Sequence, residues 1–138
     1  MDLSIDFPAA AIGRQAASLC LMPDTFRHQV AAARTFAQMH EVAQLQAAGL
    51  ALGGSLDNAV VVDDAVILNP GGLRMDNEFA SHKLVDAVGD LSLAGGPLHA
   101  RFAAHRTGHD LNNRLLQALF ADAAAWHGVA IDPLTEAA

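Results

Sequence analysis

Three residues spaced four apart, His82, Asp86 and Asp90 in the run HKLVDAVGD, carry the first chemistry visible in this chain. On a helix they stack along one face, with about 5–6 Å between neighbouring Cβ atoms. An imidazole and a carboxylate so placed can share one zinc ion, because the helix fixes both donors at little entropic cost. Asp90, a turn further on, is placed to accept the second ring proton of a ligand histidine. The same spacing also describes an ordinary solvated helix face. Two donors do not complete a site either, since a catalytic zinc normally takes three protein ligands and keeps a fourth position open. The second constellation is Thr107-Gly108-His109. The glycine allows close backbone approach, and a histidine at the mouth of a helix can donate a proton to a leaving amine or hold an oxyanion. An exposed loop histidine would look the same. His28, His40, His99, His105 and His127 lie at scattered positions and are assigned to surface or partly buried structure. Gly53-Gly54-Ser55 lacks the spacing of a phosphate-binding loop and reads as a turn.

These residues need elements to hold them. The spacing of Ala80, Leu84, Val88 and Leu91 predicts a helix from about Asn77 to Leu93, stopped by Gly95-Gly96-Pro97, with the first constellation on it. Residues 98–106 alternate, with Leu98, Ala100, Phe102 and Ala104 on one side, which predicts a strand with one wet face leading to Thr107. After Gly108 a last helix, with Leu111, Leu115 and Leu119 on its apolar side, runs to about Ala125. Upstream, residues 2–7 and 17–21 predict paired strands, Pro23 and Asp24 open a helical stretch through Ala33, and a second helix spans Gln38 to Ala48. Ala59–Val62 and Val66–Leu68 flank an Asp63-Asp64 turn. Trp126 is expected to be a packing anchor, and the tail 129–138 to be frayed. Strands and helices mix without a βαβ rhythm, so the expected class is α+β, layered sheet and helix in a single domain over 1–138.

Composition narrows the function. The chain has 138 residues, of which 29 are alanine, and a formal net charge of −7. Lys83 is the sole lysine, beside seven arginines, which argues against nucleic-acid binding. One cysteine, Cys20, excludes an intrachain disulfide and a Cys-rich zinc module. No apolar run approaches the ~20 residues of a transmembrane segment, and no signal segment opens the chain, so a soluble, cytoplasmic protein is expected.

Three strings, GLALGGSLDNAVVVDD, LNPGGLRMDNEFASHKLVDAVGDL and TGHDLNNRLLQAL, together with the ARTF element at Ala33–Phe36, occur in unbroken order. They resemble the C-terminal half of the UDP-3-O-acyl-N-acetylglucosamine deacetylases, zinc enzymes of lipid A synthesis in Gram-negative bacteria. The resemblance spans about residues 3–128. It implies two domains of similar topology whose helices pack together around the active site, and this chain would be one half. It implies Zn2+ as cofactor, with His82 and Asp86 as two of three metal ligands. Lys83 would face the phosphates of the nucleotide sugar. His109 would be the catalytic histidine, paired with Asp90, and Thr35 would help hold the attacking water or the oxyanion. The segment from about 38 to 62 resembles an inserted β-α-β unit that passes the acyl chain, with Leu50, Ala51, Gly54, Ser55 and Val61 near its lining. The reaction implied is metal-assisted hydrolysis of the N-acetyl amide, with His109 protonating the departing amine.

Departures from the family pattern are also visible. RTFGF reads RTFAQ, so Ala37 and Gln38 stand at the passage entrance. The lysine usually found two residues before Gly108 is Arg106, and Asp110 follows His109 where alanine is usual. No Glu-His pair occurs, although the family's general-base glutamate and remaining zinc histidine form one in the N-terminal domain. The expectation is a catalytic half that turns over little by itself and needs the N-terminal domain as partner. The alternative is a non-catalytic half-domain serving as a binding or dimerisation module. A third reading keeps the fold and leaves His82 and Asp86 as plain surface residues.

Overall fold

The computed structural model describes residues 1–130. Two three-stranded sheets pack against one central helix. Strands β1 (Asp2–Asp6) and β2 (Arg14–Ser18) pair antiparallel, with Ile5 opposite Gln15 and Leu3 opposite Ala17. The hairpin is closed by Gly13, whose φ of +55° suits a residue without Cβ, and Phe7 N–H bonds the Gly13 carbonyl at 3.0 Å. Pairing therefore begins directly after Gly13, earlier than the 17–21 strand that side-chain alternation predicts. Leu19 is still buried, but it lies past the ladder.

The helical stretch expected over 23–33 is one α turn, α1 (Pro23–Thr25), continued by a π turn over Phe26–Val30. Widening to the π form carries the Ala31 N–H to the Phe26 carbonyl, at 3.0 Å, and Val30 into the core. Side-chain alternation predicts no strand in the next segment, yet β3 (Thr35–Gln38) runs parallel to β4 (Ala59–Asp63). Helix α2 (Met39–Ala47) links them, and the carboxylate of Glu41 accepts the Gln38 N–H at 3.0 Å to close its first turn. This strand–helix–strand unit spans the segment, about 38 to 62, in which the resemblance implied a β-α-β unit, with its first strand starting earlier, at Thr35. Short β5 (Val66–Ile67) pairs antiparallel with β4. Buried Asn69 locks the unit: its Oδ1 accepts Val61 N–H at 2.9 Å, and its Nδ2 donates to the Leu56 and Ala59 carbonyls, both at 2.7 Å.

Helix α3 (Glu78–Leu91) continues as a 3-10 turn, Ser92–Ala94, and stops at Gly95 with φ +80°. Its buried apolar residues are Phe79, Ala80, Leu84 and Ala87, of which the first three meet Leu3, Ile5, Val60 and Val62 in the core. The strand expected over 98–106 is only β6 (Ala103–His105), parallel to β1. Its ladder opposes Asp2 to Ala103 and ends with the Asp2 N–H donating to the Phe102 carbonyl at 2.9 Å, so the residues before 102 lie beyond the paired part of β1. Helix α4 (His109–Ala121) stops before Ala125 and buries Asn112 and Leu116, leaving Leu111 and Leu115 each 48% exposed. Its inward face is thus turned one position from the expected one. Trp126 is 46% exposed and meets Phe120 edge to face, so it is a surface pair rather than an anchor in the core. The class is α+β, consistent with half of a two-domain deacetylase fold. Of the tail, residues 131–138 lie outside the described residues. Among the described residues no helix is long and apolar enough to cross a membrane.

Candidate active site

Helix α3 brings His82 and Asp86 together as the four-residue spacing requires. Their side chains are 15% and 13% exposed, and Nε2 of His82 stands 3.2 Å from Oδ1 of Asp86. The other ring nitrogen, Nδ1, lies 3.3 Å from the Ala33 carbonyl. A carbonyl only accepts, so Nδ1 carries the proton in that contact. In the neutral ring Nε2 then presents a lone pair to a carboxylate oxygen, and two acceptors at this separation require a cation between them. A proton on the ring satisfies that requirement, and so does a metal. Two ligands about 2.0–2.2 Å from a tetrahedral zinc sit a little over 3 Å apart, so the donor pair fits the ion in chemistry and spacing. The pair leaves the coordination shell open: among the described residues no three His, Cys, Asp or Glu side chains cluster as a metal site.

Lys83 bonds the other oxygen of the same carboxylate, Nζ to Oδ2 at 3.0 Å, and lies 5.5 Å from the centre of the Phe36 ring. Burial alone would push the Asp86 carboxyl up. The hydrogen bonds from His82 and Lys83 outweigh it and hold the group down at about 2. Lys83 is therefore engaged with Asp86 rather than free in solvent. Phe36 meets His82 edge to face at 6.2 Å and Phe79 at 5.0 Å, and walls the imidazole against the core. Thr35 is exposed at the start of β3, between Ala33 and Phe36, both of which contact His82.

The Asp90 carboxylate serves His109, not a ligand histidine. Nδ1 of His109 lies 2.9 Å from Oδ1 and 3.0 Å from Oδ2 of Asp90, and the ring is 69% exposed. The second partner of His82 is instead a backbone carbonyl, which sequence spacing could not reveal. Gly108 has extended backbone, and a Cβ there would meet open space, so the chain's own packing does not demand glycine. Asp110 turns toward Arg114, at 3.8 Å, while Asp90 occupies the ring nitrogen of His109. Arg106 is exposed, with φ +53° in the turn ahead of Thr107.

Sequence reasoning missed three contributors. Asn112 bonds Asp90 from one turn into α4. Phe36, which in sequence is only one letter of ARTF, walls the His82 ring. Glu78, fully buried, accepts the Arg34 side chain at 2.9 and 3.1 Å and the backbone N–H groups of Arg34 and Arg74 at 3.0 and 2.7 Å. Burial would raise Glu78, but these hydrogen bonds keep it below the usual carboxylate range. One turn ahead of His82, the pair ties the Ala33–Arg34 backbone to α3. Its signal was present as RTF followed by NEF, two motifs with no spacing rule to join them. Leu50, Ala51, Gly54 and Ser55 lie in the exposed connection from α2 to β4, and Val61 is half-buried in β4. That connection is held by its own bonds, Ser55 N–H to Asn58 Oδ1 at 2.8 Å and Asn58 Nδ2 to the Gly53 carbonyl at 2.9 Å.

The sequence profile described as UDP-3-O-acyl N-acetylglycosamine deacetylase (LpxC) matches residues 1–121. The chain is 46% identical over 131 residues to the UDP-3-O-acyl-N-acetylglucosamine deacetylase of Campylobacter fetus, covering 95% of this chain and 45% of that protein. It is 46% identical over 134 residues to the enzymes of the same name from Haemophilus influenzae and Pasteurella multocida, covering 96% of this chain and 44% of each relative. The chain thus spans less than half the length of the relatives it matches.

Proposed function

Because the chain belongs to the UDP-3-O-acyl N-acetylglycosamine deacetylase family, we propose that it supplies one side of an active site that hydrolyses the N-acetyl amide of UDP-3-O-acyl-N-acetylglucosamine for lipid A synthesis. The observation that carries this reading is the His82 Nε2–Asp86 Oδ1 pair, held 3.2 Å apart on one helix face with the other ring nitrogen of His82 turned to the Ala33 carbonyl. That pair would hold Zn2+, which when bound supplies a Lewis acid for the amide carbonyl and a water of lowered pKa. Lys83 keeps Asp86 anionic and oriented by occupying its outer oxygen. His109, exposed and anchored through Nδ1, presents Nε2 outward as the proton donor to the departing amine. Asp90 orients that ring and stabilises its cationic form, as a carboxylate behind a catalytic histidine does. Thr35 stands beside the His82 contacts and would bind the water or the oxyanion.

Lys83 and Arg106 supply the positive charge for the substrate diphosphate. Exposed Leu50, Leu52 and Leu56 in the α2–β4 connection offer apolar surface for the acyl chain, with Ala51, Gly54, Ser55 and Val61 beside them. The general base and third metal ligand would come from the partner domain, in the cytoplasm where the nucleotide sugar is available.

Zinc titration by calorimetry tests the metal assignment on this chain directly. Two helix-borne donors should bind at micromolar affinity or weaker, and His82→Ala should weaken binding at least tenfold. Equal binding by both proteins would overturn the assignment. A second reading, a non-catalytic binding or dimerisation half-domain, draws on the outward Leu111 and Leu115 of α4.

A further inference from the structure

We infer that Asn112 is a positioning residue that, together with the Thr107 hydroxyl, fixes the tautomer and orientation of His109 by holding Asp90. The inference rests on the reading of His109 as the proton donor. Asn112 is 1% exposed, in the first turn of α4 after His109 itself. Its Nδ2 donates to Oδ2 of Asp90 at 2.8 Å, and Thr107 Oγ1 lies 2.7 Å from its Oδ1.

The direction of every bond in this chain follows from one fact: an ionised carboxylate only accepts. Asp90 must therefore face the amide NH2 of Asn112, which turns the amide oxygen toward Thr107. The threonine hydroxyl must then donate, because the amide oxygen only accepts. At the other end the same carboxylate must receive a proton from His109, so Nδ1 carries hydrogen and Nε2 is left for chemistry. The relay Thr107 → Asn112 → Asp90 ← His109 has a single self-consistent proton arrangement. It joins the loop before α4, the first turn of α4 and the last turn of α3.

The arrangement answers a mechanical difficulty. The His109 ring is 69% exposed, so core packing cannot hold it. Asp90, 17% exposed, is the ring's one anchor among the described residues, and a carboxylate bound only by a mobile ring would be free to rotate. Asn112 supplies the buried fixed point. An aliphatic side chain there would fill the space and leave Oδ2 of Asp90 with only a share of the His109 N–H that Oδ1 already accepts.

The test reads the His109 ring in the 138-residue chain by long-range proton–nitrogen correlation at about pH 9, where an ordinary imidazole is neutral. The wild-type ring is expected as the Nδ1–H tautomer. Asn112→Ala should lose that tautomer to a mixture rich in Nε2–H, and Thr107→Val should produce part of the same loss. Thr107→Ser, which keeps the hydroxyl, should restore the wild-type signature. An Nε2–H ring in the wild type overturns the inference, as does an unchanged ring signature in a folded Asn112→Ala. If Asn112→Ala does not fold, the Thr107→Val and Thr107→Ser pair decides: identical signatures in both overturn it. The readout needs neither metal nor turnover, so its failure leaves the zinc titration to judge the deacetylase reading separately.

Discussion

Asp86 accepts His82 on one oxygen and Lys83 on the other, and its depressed pKa is the electrostatic record of both contacts. The folded value of about 2 lies below the ordinary 3.8, so the ionised carboxylate stabilises the fold fully above about pH 4 and loses that contribution as pH falls through about 2. The contribution is of order 2 kcal/mol for a group this well shielded. In chelator-treated buffer, Asp86→Asn should be less stable than wild type by that order at pH 7, with the gap closing toward pH 2. Denaturant midpoints followed by circular dichroism check this. A gap of constant size at every pH would mean that packing, not charge, distinguishes the two side chains.

Among the elements, α3 does most of the positioning, and its first turn is tied down by Glu78. Because four donor groups from Arg34 and Arg74 converge on this buried carboxylate, removing its charge orphans several of them at once. Glu78→Gln should therefore destabilise by about 3–5 kcal/mol, as breaking a buried ion pair does. Replacing both charges, Arg34→Met with Glu78→Met, should recover only part, because the Arg34 and Arg74 N–H groups still lack an acceptor at about 1–3 kcal/mol each. Urea unfolding of the three variants measures this. Full recovery in the double variant would reduce Glu78 to one half of a simple ion pair. The depressed Glu78 carboxyl also adds to acid sensitivity, its stabilisation fading as pH drops below the ordinary range near 4.5.

At the scale of the molecule, α4 packs chiefly on α3 through Asn112 and Leu116, while Leu111 and Leu115 face outward one turn apart. The apolar arc of α4 is wider than one helix neighbour covers, as suits a helix with a second partner. Leu115→Glu should change folding stability by less than about 0.5 kcal/mol, the usual range for a surface position. It should abolish association with the N-terminal half of a relative in sedimentation velocity. Association of equal strength would remove α4 from the interface.

The sequence by itself determined the helix that carries His82, Asp86 and Asp90, the terminator at Gly95, the α+β class and the family. Each of these is a local periodicity or a contiguous motif, and a helix converts spacing into geometry without help. Three-dimensional packing decided everything that joins distant segments. It shortened the 98–106 strand to the part that faces β1, made a strand of Thr35–Gln38 by giving it β4 as a neighbour, and rotated the buried face of α4 toward Asn112. It also assigned the Ala33 carbonyl to His82 and Asn112 to Asp90, whereas the pairing of Asp90 with His109 was already implied by the family motif and took its geometry from the fold. A hydrogen bond across 49, 19 or 22 residues leaves no periodic trace in a chain, because its two ends meet only after the core has closed.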